Sequence, residues 1–283
     1  MDNIIFDTPE RRLASHMIEQ ALYNRWNRDG FFILRGLVPK ADAAEIEAEV
    51  IEKIRSDPPE RHADVQYYMS GDNYLIFGEK SPSSNAINPE DRISKVFNCH
   101  AEGATRRVAE SSSIVDIVSD LLGPNIDCFQ SQFIFKNPGV IGQPWHQDSY
   151  YFDFTLQPQI GVWLALTPAT LENGCLWVLP GSHREPIHTH VPDLRPEANR
   201  GYVEIVDQNF DAQQPVLMEP GDVLFFHSFL MHKSKDNTAQ YRRSAMVYHY
   251  GRMGTQPAPS VPAERLQSLR AVNRWISVRR ATG

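Results

Sequence analysis

Two histidines and one aspartate are the residues whose types and spacing first suggest chemistry. His146 and Asp148 are separated by one residue, and His232 lies far downstream. Residues two apart on an extended strand point to the same face, so one ion could bind both while the distant histidine closes a triangular face. Such a set suits ferrous iron and leaves positions open for chemistry, although zinc is an alternative. The cluster therefore predicts an open metal site.

Arg243 is the second residue with a chemical implication, because it follows His232 by eleven residues and begins an apolar strand. A guanidinium buried in a barrel strand is costly unless an anion neutralises it, and its planar fork matches a carboxylate. One interpretation is a keto acid or dicarboxylate held by the metal at one end and by Arg243 at the other. The other is an ordinary internal salt bridge, and the residue types leave both open.

Three other histidines have similar spacing but a weaker context. His188 and His190 are also two apart, yet they lie between Pro186 and Pro192, in a loop where a fixed geometry is hard to maintain. We interpret this pair as part of a solvated loop. His227 ends an apolar run and is interpreted as a residue that lines the barrel.

Composition limits the class of protein. The chain has 283 residues, of which 41% are hydrophobic and 22% charged, and its formal net charge is -7. This length supports a sizeable core, and the acidic balance argues against nucleic acid as a partner. The three cysteines are widely spaced, which favours a reducing compartment over disulfides. No apolar run reaches the length of a membrane span, so we expect a cytoplasmic protein without one.

The elements that must position these residues are predicted to form a single domain over residues 1–283. Residues 1–123 are predicted to be mainly helical, with helices at 40–55 and 106–122 after a first helix that contains Leu13, Met17 and Leu22. Residues 57–90 are rich in Pro, Ser, Asn and aromatic side chains and are predicted to be an irregular loop beside a pocket.

The region from 124 to 250 is predicted to be the β core, so the fold class is α+β with a mainly β core buttressed by N-terminal helices. The predicted strands cover 126–136, 160–166, 174–179, 215–226 and 242–250. Residues 184–214 are predicted to be a lid loop at the mouth. Residues 255–283 are predicted to form a C-terminal helix whose arginines face solvent and take no part in chemistry.

Several motifs, in order, resemble the phytanoyl-CoA dioxygenase family, and most closely its domain-containing members. They comprise residues 29–34, the cluster 146–148, the strand 161–166, the run 172–183, and the segment from His232 to Arg243. The resemblance covers most of the chain. It implies a double-stranded β-helix, which is a jelly-roll or cupin-like fold, and an enzyme that uses Fe(II), 2-oxoglutarate and O2.

Carried over residue by residue, the resemblance assigns a metal site and an anion anchor. It implies that His146, Asp148 and His232 ligate iron, and that Arg243 and Ser234 hold the distal carboxylate of 2-oxoglutarate. Related halogenases carry a small residue in place of the aspartate. The presence of Asp148 therefore favours hydroxylation over halogenation.

Five further positions are candidates for contacts in the pocket. Trp163, Gln132 and Lys95 resemble residues that line the co-substrate pocket, although a core tryptophan and a surface lysine are the alternative interpretations for Trp163 and Lys95. Gln130 shares a strand face with Gln132 and is a candidate substrate contact. Tyr150 follows the ligand pair and is a second candidate, with core packing as its alternative.

The predicted activity is hydroxylation of an unactivated C–H bond in a small organic substrate, with release of succinate and CO2. Two alternatives are a cupin-like metal-dependent isomerase or hydrolase, which does not need Arg243, and a non-catalytic protein that binds the metal or 2-oxoglutarate. The expected partner is a small molecule, either a carboxylate or a lipophilic natural product. The C-terminal helix would also suit packing against a second subunit in a homo-oligomer.

Overall fold

Strands rich in aromatic and β-branched residues build the centre of the molecule. The computed structural model describes residues 19–58, 67–70, 74–82, 84–199 and 201–280. Its strands are β1 (Phe31–Leu34), β2 (Tyr67–Ser70), β3 (Tyr74–Gly78), β4 (Ile93–Phe97), β5 (Ile126–Lys136), β6 (Ile160–Ala165), β7 (Leu176–Val178), β8 (His190–Pro192), β9 (Val203–Ile205), β10 (Gln214–Val216), β11 (Val223–His227), β12 (His232–Ser234), β13 (Arg243–Arg252) and β14 (Ile276–Arg279). Predicted helix positions Leu13 and Met17 lie outside the described residues.

The strands pair into one large sheet, a smaller sheet that packs against it, and a separate two-stranded sheet of β8 and β9. The large sheet has the order β1-β11-β6-β13-β5-β4-β3-β2, with β14 also paired to β5, and the smaller sheet has the order β10-β7-β12. The pairing is antiparallel throughout. Two facing antiparallel sheets joined in this order form the predicted double-stranded β-helix.

Four helices cover the outer face of the large sheet: α1 (Gln20–Asp29), α2 (Lys40–Ser56), α3 (Gly103–Ala109) and α4 (Ser112–Leu122). Two further helices, α5 (Asp148–Phe152) and α6 (Ala263–Val272), lie on the side of the site instead. Helix α2 corresponds to the helix predicted at 40–55, and its buried stripe, at Ala43, Ile46, Val50 and Ile54, packs into the core with side chains of β6 and β11. Helices α1 to α4 thus shield one face of the sheet and leave the other for the site.

Strand β6 shows why the two faces of the sheet differ. All six of its residues are buried. Val162 and Leu164 face the helices, whereas Trp163 and Ala165 face the smaller sheet. Because both faces of a central strand are covered, the alternation separates two cores rather than core from solvent.

Four predicted elements differ in the structure. The predicted helix at 106–122 is two helices, because the backbone at Ser111 is extended. The predicted strand at 215–226 is two strands, separated by a turn at Gly221, where φ is +90°. The predicted loop at 57–90 contains the paired strands β2 and β3. The predicted C-terminal helix is limited to α6 and is followed by β14.

The three cysteines are buried and unpaired, as the prediction without disulfides requires. Burial raises the pKa of the Cys99 thiol to about 12, so the thiolate is disfavoured there.

Within the described ranges, no helix is both long enough and apolar enough to cross a membrane.

Gly161 on β6 tests how tightly the sheet packs against the site. An added Cβ would lie 2.1 Å from Phe226 Cζ, and this buried ring has little room to move. We expect Gly161→Ala to lower the free energy of unfolding by about 1–3 kcal/mol in chemical denaturation, because overpacking strains a dense core. Gly251→Ala on β13 is the matched control, since its nearest atom would be at 3.3 Å. Equal losses in the two variants would contradict this account.

Candidate functional site

The three predicted metal ligands come together at the edge of the smaller sheet. His146 lies in an extended segment that bridges to His232, the first residue of β12, through reciprocal backbone hydrogen bonds. Asp148 is the first residue of α5 rather than part of a strand. Gln147 between them is extended, so His146 and Asp148 still point to the same side, as predicted.

The geometry of this cluster suits one metal ion. His146 Nε2 and His232 Nε2 lie 3.8 and 3.7 Å from Asp148 Oδ1, and one ligand atom from each residue fits within 4.8 Å of the others. His146 Nδ1 donates to the carbonyl oxygen of Pro144 at 2.8 Å, and His232 Nδ1 donates to that of Leu230 at 3.0 Å. These bonds fix both tautomers and direct both Nε2 lone pairs toward the aspartate.

The electrostatics keep the ligands in the protonation states that a metal needs. Burial, reinforced by nearby His232, lowers the pKa of His146 well below its usual value, so its imidazole is neutral. Burial by itself would raise the pKa of Asp148, but His232, His249 and His146 together bring it below its usual range. The cluster therefore presents the neutral imidazole of His146 and an ionised carboxylate.

His249 is a site residue that sequence reasoning missed. Its Nε2 donates to Asp148 Oδ2 at 3.1 Å, which leaves Oδ1 toward the two histidines. Its ring is buried and packs against Phe152 and Phe129. The signal was present in the sequence, because His249 is six residues beyond Arg243 on the same strand and so shares its face.

Arg243 is buried among apolar side chains with few partners. It is 1% exposed, its Nη2 donates to the carbonyl oxygen of Gly174 at 2.9 Å, and its guanidinium lies 5.3 Å from the centre of the Trp163 ring. Its Nε and Nη1 have no hydrogen-bond partner among the described residues. Burial lowers its pKa to about 10, so it stays charged at neutral pH. No carboxylate pairs with it there, which disfavours the internal salt bridge.

Lys136 is a second basic residue beside Arg243, and it was not identified from the sequence. It is paired directly with Arg243 across strands β5 and β13. Its Nζ donates to Ser234 Oγ and to the carbonyl oxygen of Ile141, both at 3.1 Å. Burial and the neighbouring guanidinium lower the pKa of Lys136 well below its usual value. Two adjacent buried basic groups and a hydroxyl make a site for an anion.

Lys95 lies in the same cavity and not on the surface. Its Nζ donates to Gln143 Oε1 at 3.1 Å, and burial lowers its pKa to about 8. Gln132 Nε2 donates to Gln130 Oε1 at 2.6 Å, so these two glutamines share a face as predicted. Tyr150 stacks on His190, with ring centres 4.2 Å apart.

One cavity of about 870 Å³ connects these groups. All ten predicted site residues line it: Lys95, Gln130, Gln132, His146, Asp148, Tyr150, Trp163, His232, Ser234 and Arg243. So do Arg265, Gln267 and Leu269 of α6. The prediction that the arginines of the C-terminal helix face solvent was therefore wrong for Arg265, because one side of this helix closes the cavity. The volume is within the range of sites for small organic ligands.

The histidines interpreted as bystanders lie outside this cluster. His188 is held between Asp207 and Glu185 at 3.0 and 2.9 Å. His190 is the first residue of β8, and its Nε2 accepts from the backbone N–H of Gln147. These contacts hold both histidines in place, and His190 supports the segment beside the metal site. The pair is therefore not part of a free solvated loop. His227 ends β11, as predicted.

Comparisons with known proteins agree with this geometry. The profile of the phytanoyl-CoA dioxygenase family (PhyH) matches residues 26–245. The chain belongs to this family. The phytanoyl-CoA dioxygenase domain-containing protein 1 of Bos taurus is 30% identical over 278 residues, covering 84% of this chain and 94% of the relative. The methylphosphonate hydroxylase of Gimesia maris is 28% identical over 227 residues, covering 80% and 78%.

The peroxisomal relatives are longer than the matched part. The mouse (Mus musculus) protein named phytanoyl-CoA dioxygenase, peroxisomal, is 29% identical over 238 residues, which cover 80% of this chain but only 66% of the mouse protein. The chain thus spans slightly less than two thirds of that relative. The family predicted from the motifs is confirmed.

Solved structures share the fold at low sequence identity. The epimerase SnoN in complex with Fe3+, alpha ketoglutarate and nogalamycin RO has a TM-score of 0.62 and 19% identity, covering 87% of this chain and 88% of SnoN. CytC3 with Fe(II) and alpha-ketoglutarate has a TM-score of 0.57 and 20% identity, covering 88% and 83%. The double-stranded β-helix is therefore confirmed.

His249 gives a test of how the aspartate is oriented. We expect His249→Gln to weaken Co²⁺ binding by the metal-free protein about 10–100-fold, because Asp148 loses the partner that holds Oδ2. The measurement is a titration followed by the visible spectrum of bound Co²⁺. His227→Gln, at the end of β11 and outside the cavity lining, is the control and should bind Co²⁺ as the wild type does. An unchanged affinity in His249→Gln would show that the aspartate is oriented by other contacts.

Proposed function

We propose that this protein is an Fe(II)- and 2-oxoglutarate-dependent dioxygenase that hydroxylates a C–H bond of a small organic substrate. The carrying observation is that one cavity holds both an open set of metal ligands and a buried guanidinium without an anionic partner among the described residues. A simple metal-dependent hydrolase would explain the metal ligands but would not need the buried guanidinium. A metal-bound keto acid that also bears a distant carboxylate satisfies both.

The donor set fits ferrous iron. His146, Asp148 and His232 offer two imidazole nitrogens and one carboxylate oxygen on one side of the cluster, the arrangement typical of non-haem iron oxygenases. Among the residues that the structure describes, no cysteine joins this set, whereas structural zinc sites commonly include cysteine thiolates. The coordination positions that these three side chains leave free would face the cavity.

The anion anchor fits the distal carboxylate of 2-oxoglutarate. Arg243 would hold it with Nε and Nη1, the two donors that have no partner in the described structure. Ser234 Oγ and Lys136 Nζ lie 3.1 Å apart on the same side and would complete the contacts. The indole Nε1 of Trp163 is likewise buried without a partner in the described residues and stands beside the guanidinium. Lys95 would contact the end of the co-substrate nearer the metal.

Bound Fe(II) with 2-oxoglutarate and O2 supplies the oxidation, in which one oxygen atom enters succinate with loss of CO2 and the other enters the substrate C–H bond. The protein's own residues position the metal ligands and the co-substrate. His249 orients Asp148, the backbone carbonyls orient both histidines, and Arg243 fixes the far end of the co-substrate. Aromatic side chains around the cavity exclude water from the reacting centre.

Asp148 also supports hydroxylation over halogenation. Its carboxylate would take the coordination position that an exogenous halide needs. His232 and His249 hold the pKa of Asp148 below its usual range, and His249 directs the carboxylate inward. The family relatives include a protein named methylphosphonate hydroxylase, and the same fold includes an epimerase, so the fold does not specify the substrate. We propose a small carboxylate or lipophilic molecule as the substrate. A cytoplasmic location and a homo-oligomer stay predictions.

Replacing Asp148 tests the metal site. We expect Asp148→Ala to lose succinate formation by at least about 10²-fold, because two histidines alone hold iron weakly. We also expect wild-type protein to develop a visible band with Fe(II) and 2-oxoglutarate under anaerobic conditions, and this band should be absent in Asp148→Ala. Asp211→Ala, in an exposed loop, is the control for loss of a carboxylate. A variant at position 148 that forms succinate at the wild-type rate would refute the assignment.

Replacing Arg243 tests the anion anchor separately. We expect Arg243→Gln to raise the dissociation constant of 2-oxoglutarate about 10²-fold, measured by calorimetry with the Mn²⁺-loaded protein, because a charge-assisted pair contributes about 1.5–3 kcal/mol. Co²⁺ binding by the metal-free protein should be unaffected. Arg242→Gln is the matched control, since Arg242 lies against Asp91 and Phe135 instead. Unchanged 2-oxoglutarate affinity in Arg243→Gln would favour a metal-dependent isomerase or hydrolase.

A further inference from the structure

The register of β5 and β13 gives the cavity a direction. Residues 130, 132, 134 and 136 of β5 all line it, and six residues of strand span about 20 Å. On β13, Arg243 pairs with Lys136 and His249 pairs with Gln130. The anion anchor therefore lies at one end of these strands and the partner of Asp148 at the other.

This direction separates a co-substrate side from a substrate side. If 2-oxoglutarate extends from the metal to Arg243, it occupies the part of the cavity that runs toward Lys136. A substrate must then reach the metal from the side of Gln130. At 870 Å³ the cavity is far larger than a five-carbon diacid requires, so space for an organic skeleton remains on that side.

Residues 263–273, which we call the C-terminal wall, close the Gln130 side. Gln130 Nε2 donates to Asn273 Oδ1 at 2.7 Å, and Arg274 N donates to the carbonyl oxygen of Phe129 at 2.8 Å. The following strand β14 pairs with β5, which fixes the wall against the strand that carries Gln130. These contacts make the wall part of the folded site rather than an appended helix.

The wall presents both apolar and donor groups to the cavity. Leu269 is buried against Phe129, Phe152 and Phe154, and Val272 also lines the space. Arg265 lines it beside Tyr150, donates to the Tyr150 carbonyl oxygen, and lies 5.3 Å from the centre of that ring. A guanidinium has only donors, so the substrate group that meets it must be an acceptor. Glu264 lies at the exposed rim.

We infer that the C-terminal wall is the substrate-recognition surface, and that it selects an organic molecule with an apolar skeleton and an anionic oxygen group such as a carboxylate. This inference rests on the proposed function for the direction of the co-substrate. The wall begins well beyond residue 245, where the match to the family ends. Substrate choice is thus set by a segment that lies outside the part of the chain matched by the family model.

Two tryptophan variants on the same helix test the wall. Gln267 is exposed on α6 and faces the cavity, so a tryptophan there fills substrate space without burying a polar group. Arg270 is equally exposed on α6 but does not line the cavity, and Arg270→Trp is the matched control. The probes are 4-phenylbutanoate, dodecanoate and, as a cation of similar shape, 4-phenylbutylamine. Their binding is measured by calorimetry on full-length Mn²⁺-loaded protein saturated with 2-oxoglutarate.

The inference has a defined set of outcomes. Wild-type protein should bind at least one of the two carboxylates and should bind it at least tenfold more tightly than the amine. Gln267→Trp should weaken that binding at least tenfold and leave 2-oxoglutarate affinity within twofold, whereas Arg270→Trp should change neither. Failure of both carboxylates to bind wild-type protein, or equal effects of the two tryptophans, would overturn the inference. If the wild-type protein failed to bind the metal or 2-oxoglutarate, that result would refute the proposed function instead.

Discussion

The antiparallel pairing of β13 between β5 and β6 is the constraint on which the site depends. Because alternate residues of a strand share a face, one strand carries both Arg243 and His249 into the cavity. A slip of one residue would turn both outward and replace them with Ser244 and Tyr250. The burial of β13 on both faces prevents such a slip, since its other face packs into the core beneath the helices.

The metal cluster depends on the smaller sheet in a different way. His146 and His232 come from segments more than eighty residues apart, and a single reciprocal pair of backbone bonds joins them. Gly142 allows the approach, because an added Cβ there would lie 1.9 Å from the Ser234 carbonyl oxygen. The chain thus brings the two imidazoles together through backbone contacts, and the aspartate is added by the first turn of α5.

The sequence could predict those features that local pattern controls. The spacing of His146 and Asp148, the strand at 126–136 and the charge requirement of Arg243 follow from side-chain chemistry and alternation. Lys136 was missed because it has meaning only through Arg243, its partner across the sheet, and single-sequence patterns do not give register. His249 was missed although it shares a strand face with Arg243, because its contact with Asp148 on α5 joins distant parts of the chain. The C-terminal wall was misjudged for the same reason, since its arginines resemble a solvated helix until β14 is seen to pair with β5.

The basic groups at the anion anchor show why this site is costly without its ligand. Lys136 and Arg243 are adjacent and buried, and burial lowers the pKa of both, which means that the fold disfavours their charged forms. A bound dicarboxylate would oppose that effect, because it adds negative charge beside Arg243, whose Nε and Nη1 have no partner among the described residues. Folding therefore stabilises the rest of the β-helix enough to hold these two basic groups side by side, and the preorganisation that results favours the co-substrate over neutral molecules of similar size.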